Sequence, residues 1–276
     1  MRVTYIDHSG FLIDGATHRL LFDYYRGPLP EPDPAKALSV FASHHHPDHY
    51  VPEIYLYGER TPGTRYYLGC DVTLNAANRQ KMGVTDAIFA RCDRLHKDDV
   101  RSRDGLSVQA LRSTDMGVAF YVTCEGKRIY HAGDHNLWLW REDANFDRAQ
   151  IDRFYEEIEK LRGLPIDAAF LPLDPRLGDE YWRGFDAFMR LLQPTVAFPM
   201  HMVDDYAIVD RLLAHPCSLP YRKRIARIRA CGDSFEISIH SAICRIPFGA
   251  CPKGIFLHRM RRGSMLKSPE SAAKPG

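Results

Sequence analysis

Between positions 43 and 49 the chain reads Ser43-His44-His45-His46-Pro47-Asp48-His49, which packs four imidazoles and a carboxylate into six consecutive positions. Neutral imidazoles and carboxylates are the ligands that Zn, Mn and Fe take. Alternate side chains of an extended segment project the same way, so His44 and His46 can grip one ion while His45 points away. Pro47 then turns the chain and aims Asp48 and His49 at a second ion, roughly 3.5–4 Å from the first as in two-metal hydrolytic sites. Two ions need more ligands than one loop supplies. Asp134, in His131-Ala132-Gly133-Asp134, ends a strand at a turn, and its two oxygens can bridge both ions. His201 stands directly after the apolar run Val196 to Pro199.

The elements that must position these residues are legible as alternating runs. Val3 to Ile6, Phe11 to Ile13 and Leu20 to Phe22, separated by Ser9-Gly10 and Asp14-Gly15, predict an antiparallel meander. Leu38 to Ser43 predicts a buried strand ending at the histidines, and a helix follows from about Val51 with Pro52 in its first turn. Further strands are expected at Arg65 to Leu68, Ala87 to Arg91, Leu106 to Leu111, Val118 to Cys124 and Arg128 to His131, with Glu125-Gly126 as the last hairpin turn. Helical spacing of Ile151, Phe154, Tyr155, Ile158 and Leu161 predicts an amphipathic helix over Asp147 to Leu161, and a shorter helix is expected at Val72 to Lys81. The remainder alternates: strand Ala168 to Leu173, helix Tyr181 to Leu192, strand Val196 to Pro199, helix Asp205 to Leu213, strand Phe235 to Ile239. Meanders interspersed with amphipathic helices suggest an α/β (α+β) chain with two sheets face to face and helices outside, rather than a doubly wound parallel sheet.

The order of H-x-H-x-D-H after a strand, a later G-D at a strand end and a C-terminal lone histidine resembles the metallo-β-lactamase superfamily, over residues 1 to about 240. Asp7-His8-Ser9-Gly10-Phe11 and Leu21-Phe22-Asp23 are most similar to the branch that holds the ascorbate-6-phosphate lactonases. The resemblance implies a four-layer αββα sandwich in which His44 and His46 hold the first metal, Asp48, His49 and His201 the second, and Asp134 bridges them. It also implies that Asp48 holds the attacking water and accepts its proton. One departure stands out. The superfamily usually supplies a third histidine to the first metal, whereas the corresponding stretch here, Leu111 to Gly117, contains none, so Asp115 becomes the nearest candidate ligand. A His-His-Asp site shifts preference from zinc toward Mn or Fe. His8, His131, His135 and Asp174 are expected to line the cleft or to orient ligands, and Trp138 and Trp140 to form an apolar wall or a core anchor.

Composition bounds the rest. Of 276 residues 45% are apolar and 26% charged, an ordinary balance for a chain with a sizeable core, which excludes disorder and fibrous repeats. The formal charge of +2 excludes a global attraction to polyanions. Residues 241–276 hold seven basic side chains against the single carboxylate of Glu270, so a basic, poorly ordered C-terminal extension is expected to follow a domain spanning 1–240. Seven scattered cysteines without a C-x-x-C pair and no long apolar run fit a reduced, cytoplasmic chain without a membrane segment.

The expected function is hydrolysis of a small molecule, a lactone or phosphate ester ahead of a β-lactam, by hydroxide activated between two divalent ions, zinc first among them. Neither nucleic acid nor membrane is an expected partner. The alternative is a one-metal binding, sensing or redox module on the same fold, should Asp115 fail to complete the first site.

Overall fold

Runs of β-branched and aromatic residues broken by Gly, Asp and Pro form fourteen strands among the described residues of the computed structural model, which are 1–237 and the strand at 244–245. In chain order they begin with β1 (Arg2–Asp7), β2 (Gly10–Asp14), β3 (His18–Phe22), β4 (Ala37–Ala42), α1 (Glu53–Glu59), β5 (Arg65–Gly69), α2 (Ala76–Lys81), α3 (Asp86–Phe89) and β6 (Cys92–Leu95). There follow β7 (Val100–Arg103), β8 (Leu106–Arg112), β9 (Val118–Cys124), β10 (Lys127–His131), α4 (Ala144–Glu159), β11 (Ala168–Pro172), α5 (Arg183–Leu192), β12 (Val196–Met200), α6 (Ala207–Ala214), β13 (Ser234–Glu236) and β14 (Cys244–Arg245).

The strands make two sheets, ordered β14-β13-β1-β2-β3-β4-β5-β6 and β12-β11-β10-β9-β8-β7. In the first, β1, β2 and β3 form the expected antiparallel meander and β3 to β6 run parallel. In the second, β7 to β10 are antiparallel and β10 to β12 parallel. The parallel strands β11 and β12 are buried at every residue, whereas β8 alternates buried and partly exposed positions, as a one-faced antiparallel strand should. Pro199 sits in β12, at the sheet edge, where a missing N–H does least harm.

One core lies between the sheets and includes Phe11, Phe22, Phe41, Phe120, Phe170 and Phe198. A second covers the outer face of the first sheet, where Ile54, Tyr55 and Tyr57 of α1 meet Val40, Tyr66 and Leu68. On the outer face of the second sheet α5 packs on β11 and α4 on α5, with Phe154 and Phe188 in contact. The result is the expected αββα sandwich. No helix among the described residues is long and apolar enough to cross a membrane.

Some local readings differ. The run Ala87 to Arg91 is not a strand: Thr85 caps the Ile88 amide at 3.2 Å, α3 follows, and the strand begins only at Cys92. The helix expected from Val72 starts at Ala76, where the Asn75 side chain accepts from the Asn78 amide. The strand β7, Val-Arg-Ser-Arg, carries too little apolar pattern to be seen in sequence. The first sheet also continues past position 240, because β14 pairs with β13. The remainder of the expected basic extension, 241–243 and 246–276, lies outside the described residues.

Candidate metal centre

The residues singled out by type and spacing sit where strands end. His44, His46, Asp48 and His49 follow β4; Asp134 follows β10; His201 follows β12; Asp174 follows β11. His8 occupies the β1–β2 turn. Carboxyl ends of parallel strands are where open α/β sheets gather ligands. Two glycines let the loops close on one another. A Cβ on Gly117, φ +64°, would lie 2.0 Å from the Ser43 carbonyl oxygen, and one on Gly133, φ +52°, would lie 2.7 Å from the Ser43 side chain. His8, Asp23 and His201 also adopt positive φ, of 51°, 40° and 61°, so backbone strain is concentrated at this seam.

Two groups of ligand atoms result, each with its members within 4.8 Å of one another: His44, His46 and Asp134, and His8, Asp48, His49 and His201. Asp134 lies between them. Its Oδ2 is 3.4 Å from His44 Nε2, and its Oδ1 is 3.3 Å from His49 Nε2 and 3.4 Å from His201 Nε2. His8 Nε2 is 3.4 Å from Asp48 Oδ2. The buried atoms His8 Nε2, His49 Nε2 and Asp134 Oδ1 have no hydrogen-bond partner. Buried polar atoms without hydrogen bonds are expensive, and divalent cations held by the two groups would satisfy them.

A further set of side chains fixes the rings. Asp23 Oδ2 accepts from His49 Nδ1 at 2.8 Å, and Asp174 Oδ2 from His201 Nδ1 at 3.0 Å. Ser43 Oγ, which donates to Asp23, lies 3.0 Å from His44 Nδ1. Each arrangement turns Nε2 toward the centre, with the usual carboxylate–histidine pattern of metal sites at His49 and His201, while His44 Nε2 lies 2.9 Å from His46 Nδ1. Burial raises the Asp23 carboxyl, but His131, His49 and Ser43 outweigh it and hold it at about 2. Burial likewise works against Asp174, and His201 and Arg176 bring it down to about 2. Burial lowers His49, but Asp134 and Asp23 overcome it and draw the imidazole up to about 9, whereas burial and the His49 charge bring His44 down to about 4.

The predicted ligands His44, His46, Asp48, His49, Asp134 and His201 are therefore brought together, and His8 joins them. Asp115 does not join the first group. It lies on the wall of the same pocket, where burial and the Asp134 charge raise its carboxyl, while its neighbour Thr114 turns inward to exchange hydrogen bonds with the Asn136 backbone at 2.6 and 2.9 Å. His131 is spoken for by the Ser9 carbonyl, the Gly133 amide and the Phe22 ring, behind Asp23. His135 faces away from the centre, stacked on Phe154 at 5.0 Å, and burial drives it down to about 3. His45 points outward onto Asp71 at 2.6 Å, as the alternation requires. Asp23 and Ser43 carry only a weak signal in the sequence, a lone carboxylate and a lone hydroxyl directly after apolar strands. The pocket, about 240 Å³, is lined by His46, Asp48, Asp134, His201, Trp138, Trp140, Phe146, Gln150 and Arg176 besides Asp115.

Fold and site together define a metallo-β-lactamase-type protein. The chain belongs to the beta-lactamase superfamily: the family model of the beta-lactamase superfamily domain matches residues 2–151, more than half of the chain. It is similar to a protein of Opitutus terrae named metal-dependent hydrolase, 28% identical over 257 residues that cover 86% of this chain and 100% of the relative. It is 23% identical to one of the same name from Archaeoglobus fulgidus, covering 73% and 83% respectively. In fold it is similar to Igni18, a metallo hydrolase of Ignicoccus hospitalis, with a TM-score of 0.57 and 17% identity over 86% of this chain and 99% of that one. It is also similar in fold to CmlA, a diiron β-hydroxylase of Streptomyces venezuelae, with a TM-score of 0.55 and 14% identity over 82% of this chain and 52% of that one.

Proposed function

We propose that this chain is a metal-dependent hydrolase of a small molecule, working with two divalent cations, zinc first among them. The observation that carries the reading is the pair of buried atoms His49 Nε2 and Asp134 Oδ1, which lie 3.3 Å apart and make no hydrogen bond. The name metal-dependent hydrolase, borne by relatives that match over 73–86% of this chain and 83–100% of their own length, supports it. His44, His46 and Asp134 would hold one ion; Asp48, His49 and His201, with Asp134 between and His8 alongside, would hold the other. Bound there, the ions supply a water acidified toward neutrality and polarise the carbonyl or phosphoryl oxygen of the scissile bond.

The chain's own side chains do the rest. Asp174 and Asp23 keep His201 and His49 in the ring orientation that presents Nε2. Asp48 lines the pocket; partial burial raises its carboxyl, but His8 and His49 hold it well below the usual range, so it stands ionised as the acceptor of the water proton at Oδ2, beside His8 Nε2. Three carboxylates and one guanidinium in a small pocket suit a compact substrate with a polar head, and a lactone or phosphate ester is favoured over a β-lactam. We place the protein in the cytoplasm, acting without nucleic acid or membrane; its described cysteines are free thiols.

The test is metal analysis of the untagged chain together with a panel of lactones and phosphate monoesters and diesters. About two equivalents of metal and hydrolysis abolished by Asp134→Asn are expected. Retention of no divalent metal, or hydrolysis indifferent to Asp134, overturns the reading. One equivalent without hydrolysis favours a binding or sensing module, which the three-residue first group makes the second reading.

A further inference from the structure

The pocket carries an aromatic wall that neither the ligand set nor the proton acceptor requires. Trp138 is buried; its ring stands edge-on to His201 with centroids 5.6 Å apart, and its Nε1 donates to the Asp134 carbonyl at 2.8 Å. Trp140 stacks on Trp138 at 6.0 Å, the planes 7° from parallel. The series His201, Trp138, Trp140 therefore steps outward from the centre. Its inner indole has a structural task, since it holds the backbone of the bridging aspartate. Its outer indole lines the same pocket while 39% exposed, and Phe146, on the same lining, is 42% exposed. Apolar surface left in water in a concave site next to reactive groups marks a place that a ligand covers. Flat rings gain from stacking there beyond the area they bury.

We propose that Trp140, backed by Trp138, is the subsite for an aryl group of the substrate, which makes the substrate class an aryl-bearing lactone or ester with a polar head. The proposal rests on the hydrolase reading and deepens it. The size of the pocket, about 240 Å³, admits one ring with a head group and not a protein segment. The inner end is marked by the buried Asp134 and His201, where the polar head belongs, so the apolar part lies outward, along the indoles.

The test compares phenylphosphonate with methylphosphonate on the metal-loaded full-length chain, by calorimetry and by quenching of tryptophan fluorescence. Phenylphosphonate is expected to bind about tenfold tighter or more. Trp140→Ala should erase most of that preference and leave methylphosphonate affinity unchanged, and Trp140→Phe, which keeps a flat face, should retain it. Equal affinity for the two probes, a preference that survives Trp140→Ala, or concentration-dependent self-association that shields Trp140 without ligand overturns the proposal. Metal content measured on the same samples separates the two readings. A chain that holds no metal sinks the hydrolase, whereas a loaded chain blind to the phenyl ring sinks only the subsite.

Discussion

Asp174 does for His201 what Asp23 does for His49: an ionised carboxylate accepts Nδ1–H and turns Nε2 toward the centre. Asp174 is the more accessible to test, because Arg176 shares it through several donors and its loss opens no apolar cavity. Asp174→Asn is expected to lower metal affinity by about 10–100-fold, as read by competition with a chromophoric chelator, and to destabilise the apo chain at neutral pH because the ionised carboxylate is lost. An unchanged affinity would mean that the His201 ring is fixed by packing against His8 and Trp138 instead. Asp115 makes the opposite prediction. The family resemblance offers it in place of the missing third histidine, yet its carboxylate stays outside the group of His44, His46 and Asp134. Asp115→Ala should therefore leave the metal count of the wild type intact, where Asp134→Asn should lower it. Loss of one ion in the alanine variant would restore Asp115 to the ligand set.

At the scale of elements, the two sheets are joined by a contact that sequence gives no means of anticipating. Glu125 opens the β9–β10 turn at φ 49°, with Gly126 at 71°, and its carboxylate reaches across to the β2–β3 turn. There it accepts from the backbone N–H of Ala16, Thr17 and His18 and from the Thr17 hydroxyl, at 2.7 to 2.9 Å. Burial raises this carboxyl, but the backbone donors outweigh it and hold it at about 2 against an ordinary 4.5. A depressed folded-state value stabilises above the unfolded one and is lost on acidification. The stability gap between wild type and Glu125→Gln, about 1 kcal/mol in urea melts at pH 7, should thus shrink below about pH 4.5 and vanish near pH 2. A gap that persists at pH 2 would assign it to packing. The same distinction explains what was legible. His44 to His49, Asp134 and His201 could be read because their types are rare and they directly follow apolar strands. Asp23, Ser43 and Glu125 act through partners 20 to 109 positions away, which spacing does not encode. Ala87-Ile88-Phe89 reads as strand because a short apolar run fits either period, and the Thr85 cap decides for helix.

For the whole molecule, the centre is a seam. His8, Asp23, His44, His46, Asp48 and His49 hang from strands of the first sheet, and Asp134, Asp174 and His201 from strands of the second. Two imidazoles of the first sheet, His44 and His49, and one of the second, His201, converge on a carboxylate of the second, so an ion held here ties the sheets together at the end where their loops are strained. Such binding is folding free energy, because the unfolded chain offers no preformed site. At free metal about a hundredfold above the dissociation constant the linkage is worth about 2.7 kcal/mol. For a domain of this size that corresponds to a shift of the melting midpoint of roughly 5–10 °C. Stripping the protein with a chelator should lower the midpoint by that amount in calorimetry, and readdition of zinc should restore it. Asp134→Asn should melt near the stripped wild type and respond weakly to either treatment. If the wild type melts at the same temperature with and without chelator while metal analysis shows that the ion has left, the two sheets are held by their aromatic core alone, and the centre serves chemistry without serving the fold.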